Sequence, residues 1–198
     1  ADGEGGAYRV LHEGKEVPSQ EVPVDRYRRG LLVVARDVPA LGYATYELRP
    51  GRGSRTVSPL RASREALENQ LLRVRIDTVT GWVKSIWDKR KGRELLAGNG
   101  NELQLLEDKP TAWDAWNIGL TGTQYPTRLE KIELVESGPV RATIRITRDY
   151  LKPGVKKDFP TPEYPNSFFT QEISLSDSGD RIEFRTDADW WEEKTMLK

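Results

Sequence analysis

"LLRVRIDTVTGWVKSIWD" (residues 71–88) decides the fold class. Leu72, Val74 and Ile76 alternate with Arg73 and Arg75, a period of two that belongs to a half-buried strand. "TVTG" supplies a turn that ends in Gly81. Beyond it Val83, Ser85 and Trp87 alternate with Trp82, Lys84 and Ile86. Two alternating runs across a glycine turn predict a hairpin, with Trp87 on its apolar face.

The same signature recurs along the chain. "GPVRATIRITRDY" (138–150) sets Val140, Ala142, Ile144 and Ile146 on one face and Arg141, Thr143 and Arg145 on the other. "FFTQEISLS" and "DRIEFRTDADW" are joined by the turn signal "DSGD" (177–180). Phe169, Ile173 and Leu175 share a face in the first run, and Ile182, Phe184, Ala188 and Trp190 share one in the second. "SREALENQLLRVR" comes nearest to a helical spacing, through Leu67 and Leu71, and dissolves into alternation. Repeated strands, turn signals and no long helix predict an all-β antiparallel sandwich.

Two units are expected. "RPGRGSRTVSP" (49–59) is rich in Gly, Ser, Pro and Arg and reads as a linker. This gives a small β-sandwich unit at 1–50, a linker at 51–65 and a larger sandwich at 66–198. In the small unit "HEGKE" is a turn, Leu31 to Val34 a buried strand, and "VPALGY" a loop. About fifty residues make a thin core, so this unit is expected to lean on the larger one. "KPGVKKDFPTPEYPNS" (152–167) reads as a long surface loop.

Composition narrows the function classes. Lys plus Arg equals Asp plus Glu at 31 each, so net charge is zero and gives no long-range attraction for nucleic acid or an anionic membrane. Arg26, Arg28 and Arg29 read as a solvated loop. There is no cysteine, which excludes disulfides and thiolate metal sites but leaves the compartment unknown. No apolar run has the length of a membrane span, and no signal segment is visible.

The chemistry-bearing residues are few. The single histidine, His12, has no nucleophile motif beside it and reads as a surface strand residue, so no metal site of several imidazoles and no Ser–His–Asp triad is signalled. "AGNGNEL" (97–103) precedes a strand, unlike a phosphate loop, and reads as a tight turn. Asp88, Glu107, Asp108, Asp114, Asp187 and Asp189 are the candidates for a glycosidase-type carboxylate pair, a weak signal among 31 acidic residues. Tryptophan is more informative. Trp87 and Trp190 read as core. Trp113 and Trp116 in "TAWDAWNI" (111–118) follow Pro110 in an irregular segment and stay balanced between core and a platform for a sugar or another domain.

Several motifs in fixed order give the sequence a family resemblance. "LENQLLRVRIDTVTGWVKSIWDKRKGRELL", "GNGNELQLLEDKPTAWDAWNI", "GPVRATIRIT", "TQEISL" and "RIEFRTDADWWEEKTMLK" together resemble the C-terminal β region of the glycoside hydrolase family 38 α-mannosidases. The resemblance covers residues 66–198. The upstream stretch resembles the small β-sandwich domain that precedes this region. It implies a partial galactose-mutarotase-like supersandwich. It also implies what lies elsewhere: an N-terminal α/β domain with zinc, its Asp and His ligands and the aspartate nucleophile of a retaining mechanism. No catalytic residue, metal ligand or cofactor of the family maps onto these residues.

The chain is therefore expected to be a non-catalytic piece of a longer enzyme, C-terminally truncated and inactive alone, whose partner is the absent catalytic domain. The resemblance assigns "WDAWN" to a wall of the sugar cleft or a domain interface, carried by Trp113, Asp114, Trp116 and Asn117. Relatives often read W-D-A-W-D, so Asn117 replaces a second carboxylate. Asp114 is left between a sugar contact and a cap of its own turn. A free-standing carbohydrate-binding module is the alternative. A mutarotase-type isomerase is disfavoured because His12 lies outside the larger unit. An unpaired edge near 181–191 is expected to support a homodimer.

Overall fold

A computed structural model describes residues 7–53, 58–150 and 166–198. All regular structure among them is β. The N-terminal unit holds β1 (Tyr8–His12), β2 (Lys15–Val17), β3 (Ser19–Pro23), β4 (Arg29–Val33) and β5 (Glu47–Pro50). β1 lies between β2 and β5, and β3 pairs with β4. The β1–β2 turn uses Glu13 at φ 50° and Gly14 at φ 75°, both left-handed, the tight hairpin geometry that matches strand twist. β4 is half-buried rather than the buried strand expected, because its sheet has only two strands and cannot cover both faces.

The larger unit is a sandwich of two antiparallel sheets. One contains β6 (Arg61–Ser63), β7 (Ala66–Glu68), β8 (Leu72–Ile76), β9 (Val83–Asp88) and β10 (Arg93–Glu94). The other, in spatial and chain order, contains β13 (Arg128–Ser137), β14 (Arg141–Tyr150), β15 (Ser167–Ser176) and β16 (Ile182–Asp189). Their inner faces meet in one core built from Leu67, Leu72, Val74, Ile76 and Val83 on one side and Ala142, Ile144, Ile146, Ile173 and Leu175 on the other. These are the alternating positions of the sequence, buried because each sheet needs an apolar partner. The stretch 152–167 lies outside the described residues except at its last two positions.

A third sheet places β11 (Leu105–Asp108) between β12 (Leu120–Tyr125) and β17 (Thr195–Leu197). It rests on a satellite core of Leu105, Tyr150 and Phe169, flanked by Trp190. The Phe169 and Trp190 rings are 6.2 Å apart and tilted.

Two departures from the alternation have local causes. An extra residue in β9 breaks the β8–β9 ladder, since Arg75 faces Ser85 while Ile76 faces Val83. This bulge at Lys84 shifts the phase. Ile86, opposite buried Val74, packs on the core, and Trp87, opposite Arg73, takes the outer face. Trp87 is therefore not the core residue its spacing suggested. Residues 61–65 also leave the expected linker: β6 and its turn join the five-stranded sheet.

Asn69 ties the sheets together. Its side chain is 1% exposed. Oδ1 accepts from Leu71 N and Leu72 N, each at 2.8 Å. Nδ2 donates to Ser176 O at 2.8 Å and Gly179 O at 2.7 Å. All four side-chain hydrogen-bonding positions are used. The small unit leans on the sandwich through Gln20, whose Oε1 accepts from Val140 N at 3.2 Å and Arg141 N at 2.8 Å. Gly138 permits this approach, because a Cβ there would lie 2.1 Å from Gln20 Cδ.

Candidate functional site

The most exposed aromatic feature of the sandwich unit grows out of the β11–β12 connection. Lys109 N donates to Gly119 O at 2.8 Å, and Gly119 N donates to Asp108 Oδ1 at 2.6 Å. These bonds close a neck under residues 110–118, the geometry of an Ω-loop. Only glycine fits at the neck: a Cβ on Gly119 would lie 2.5 Å from Pro110 Cα.

Above the neck the chain makes a tight turn. Trp113 sits at φ 60°, in the left-handed region, and its carbonyl accepts from Trp116 N and Asn117 N, each at 2.8 Å. Left-handed backbone at a bulky residue is strained and persists only where surrounding bonds enforce it. Asn117 Nδ2 adds a bond to Ala112 O at 2.9 Å. The turn is thus closed by Asn117, through a donor that an aspartate lacks. Asp114 makes no hydrogen bond to a described residue and faces solvent. Trp113 is 73% exposed and Trp116 85% exposed. The alternatives of core packing for the two tryptophans and turn-capping for Asp114 are therefore not what the structure adopts. Ile118 and Leu120 extend the exposed apolar strip.

The root of this loop is electrostatically pinned. Glu107 Oε2 accepts from Thr121 Oγ1 at 2.7 Å, Oε1 accepts from Tyr125 OH at 2.8 Å, and Lys109 Nζ closes an ion pair. The Lys109 ammonium, then the Thr121 and Tyr125 hydroxyls, hold the Glu107 carboxyl down at about 2. Glu107 is therefore a brace and not a general acid near neutrality.

Apart from Asp114, the other carboxylate candidates are also occupied. Asp88 accepts from Arg90 N at 2.9 Å, Asp108 binds the neck, Asp187 pairs with Arg185 at 3.0 Å, and Asp189 accepts from Trp191 Nε1 at 2.8 Å. Among the described residues no group of three or more His, Asp or Glu side chains is arranged to hold a metal ion. His12 stacks on Tyr46 at 4.7 Å and its Nδ1 lies 2.9 Å from Thr45 O. A polar trough on the outer face of the four-stranded sheet has its cations neutralised internally. Arg141 forks onto Glu136 at 2.7 Å twice, and Arg145 onto Glu172 at 2.9 and 2.7 Å.

One buried charge escaped the sequence reading. Arg148 is 1% exposed. Its guanidinium carbon lies 3.4 Å from the Trp82 ring centre, and its Nη2 donates to Thr80 O. Burial pushes it down to about 10, still charged at neutral pH. The available signal was phase: Arg148 follows Ile144 and Ile146 at every second residue.

The larger unit is an antiparallel two-sheet sandwich that carries an exposed aromatic loop. Residues 67–198 match the family described as "Glycosyl hydrolases family 38 C-terminal domain"; the chain belongs to that family. It is 25% identical over 160 residues to alpha-mannosidase G of Dictyostelium discoideum, covering 78% of this chain and 14% of that protein. It is 29% identical over 169 residues to alpha-mannosidase 2C1 of Mus musculus, covering 81% and 15%. The chain thus spans about one seventh of the curated relatives it matches. The crystal structure of an alpha-mannosidase from Enterococcus faecalis V583 shares the fold, with a TM-score of 0.67 at 17% identity over 99% of this chain and 26% of that one.

Proposed function

We propose that this chain is the non-catalytic β module of an α-mannosidase, and that loop 110–118 forms part of the wall of the sugar cleft. In this reading the parent enzyme hydrolyses α-mannosidic bonds by a zinc-dependent retaining mechanism, with metal and nucleophile in an N-terminal catalytic domain that is the module's partner. Trp113 and Trp116 offer apolar ring faces to the C–H face of a sugar or to the catalytic domain, and Asp114 offers a free acceptor to sugar hydroxyls.

The observation that carries this is the pairing of exposure with fixation. Two tryptophans and an unbonded carboxylate are held outside the core by a neck that admits only glycine at Gly119. A solvent loop with no partner has no physical reason to display such apolar area.

The test uses the full-length enzyme. Trp113→Ala or Trp116→Ala should lower kcat/KM by roughly ten-fold or more while leaving thermal unfolding of the module unchanged, since neither ring is packed in its core. Gly119→Ala should reproduce the loss by tilting the loop. Unchanged kcat/KM in all three variants would refute the cleft-wall reading. A free-standing sugar-binding module is favoured instead if mannobiose quenches or shifts the tryptophan emission of the 198-residue chain at sub-millimolar concentration.

A further inference from the structure

The connection from β10 to β11 is strapped onto the sandwich at three points. At its start Leu95 N donates to Ile86 O at 2.9 Å, and Leu96 packs on the core between the sheets. Further on, Gly100 and Val83 exchange both backbone hydrogen bonds, Gly100 N to Val83 O at 2.8 Å and Val83 N to Gly100 O at 3.0 Å. Next, Asn101 O accepts from Gln171 Nε2 at 3.1 Å. Val83 lies in β9 and Gln171 in β15, so the strap joins the two sheets. Leu96 folds over Gly100, where a Cβ would lie 3.2 Å from Leu96 Cδ1.

Asn99 and Gly100 form the one Asn–Gly pair in the sequence. Glycine has no side chain to shield its backbone nitrogen, so that nitrogen can reach the preceding side-chain amide. We infer that Asn99 is a self-modification site, gated by the Gly100–Val83 bridge. Gly100 N gives its proton to water and bonds to Asn99 Cγ. The Cγ–Nδ2 bond breaks, and Nδ2 leaves as ammonia. Water then adds to one of the two carbonyls of the succinimide ring and leaves aspartate or isoaspartate at that position. Nothing is oxidised or reduced, and water is the only reactant from outside the chain.

The bridge holds the nucleophile back. While it is closed, the Gly100 N–H points across the ladder to Val83 O, and Val83 is 0% exposed. Turning that nitrogen toward Asn99 Cγ costs both bonds of the pair and leaves two buried Val83 groups unpaired. Reaction is therefore confined to molecules in which the strap has opened locally, a smaller event than global unfolding. The product does not reclose in the same way. Isoaspartate routes the backbone through Cβ and adds one carbon between Asn99 and Gly100. The Val83 bridge and the Asn101–Gln171 bond then no longer fit together, and a neutral amide has become a carboxylate. The modification is a permanent record of strap opening.

Peptide mapping by mass spectrometry in warm, mildly alkaline buffer follows the reaction, with isoaspartate counted by enzymatic methylation. In urea-unfolded protein Asn99 should convert, while Asn101, followed by the bulkier Glu102, should lag behind it. In the folded protein Asn99 should convert at least roughly ten-fold more slowly. Urea below the unfolding transition should raise that rate in proportion to hydrogen exchange of the Gly100 and Val83 amides. Leu96→Ala, which frees the strap from the core, should do the same without urea. The isoaspartate form, returned to native buffer, should exchange both amides at least roughly ten-fold faster than the parent. Equal conversion in folded and unfolded protein, a folded-state rate that does not follow the amide exchange, or full protection of both amides in the isoaspartate form would each overturn the inference.

Discussion

Replacing Asn69 by aspartate changes one side-chain nitrogen to oxygen and leaves shape intact, so it isolates the hydrogen bonds that tie the sheets together. The two bonds accepted from Leu71 N and Leu72 N survive. The two donated to Ser176 O and Gly179 O are lost, and a carboxylate oxygen then faces two carbonyl oxygens at contact distance. Each lost bond removes about 1 kcal/mol net, and each stranded acceptor adds a desolvation penalty of similar size. The sum is about 2–5 kcal/mol, a large share of the roughly 5–15 kcal/mol that holds a domain folded.

For a chain of this length the melting temperature should fall by about 5–15 °C at pH 7. Burial beside two carbonyls raises the pKa of the new aspartate above its unfolded value. Its stabilising protonated form is then fully present below the unfolded pKa and is lost as pH rises through the folded one. A protonated carboxyl also regains one donor. The deficit of Asn69→Asp against the parent should therefore narrow as pH is lowered from 7 toward 4, measured by thermal unfolding in circular dichroism. A variant within about 0.5 kcal/mol of the parent at pH 7, the scatter expected of surface changes, would refute the assignment of Asn69 as the tie. A deficit independent of pH would refute the donor argument.

Two further outcomes are expected. Gly92 and Gly81 both have positive φ, at 59° and 72°, but a Cβ on Gly92 meets nothing within 4 Å while one on Gly81 lies 2.5 Å from Arg148 Nη2 and 2.9 Å from Leu129 Cδ1. Gly92→Ala should cost about 1 kcal/mol from backbone strain alone. Gly81→Ala should cost about 3 kcal/mol or more because a buried guanidinium must move, and equal losses in denaturant titration would contradict the packing. Glu107 has its carboxyl lowered from 4.5 to about 2, so its contribution is fully present above pH 4.5 and is lost as pH falls through about 2. Tryptophan emission from the loop should report an acid transition in that window that is absent in Glu107→Gln, where an unchanged transition would show that the brace is not responsible.

Local periodicity carried most of the sandwich. Leu72, Val74 and Ile76, or Ala142, Ile144 and Ile146, alternate with charges so regularly that a strand buried on one face is the only element that satisfies them. The hairpin turns at Gly14 and Gly81 were legible for the same local reason, since left-handed backbone favours glycine. What alternation does not register is an insertion into the ladder. The bulge at Lys84 exchanged the roles of Ile86 and Trp87, and nothing in "WVKSIWD" marks where the extra residue sits. Asn69 and Arg148 were missed because their partners lie far away in the sequence, 107 residues for Ser176 and 68 for Thr80.

The site divides along the same line. The spacing of Trp113, Asp114 and Trp116 after a proline marked an unusual segment, and motif order pointed to a family, but residue types cannot say whether an indole points into a core or out of it. That was decided by the Asp108–Gly119 neck, which joins the ends of the paired β11 and β12, together with the left-handed turn at Trp113 and the Asn117 amide. Sequence by itself determined most of the strands and, away from the β9 bulge, their apolar faces, because side-chain alternation is a property of one strand alone. Tertiary structure decided exposure and the ties between sheets, because each depends on what another part of the chain leaves beside it.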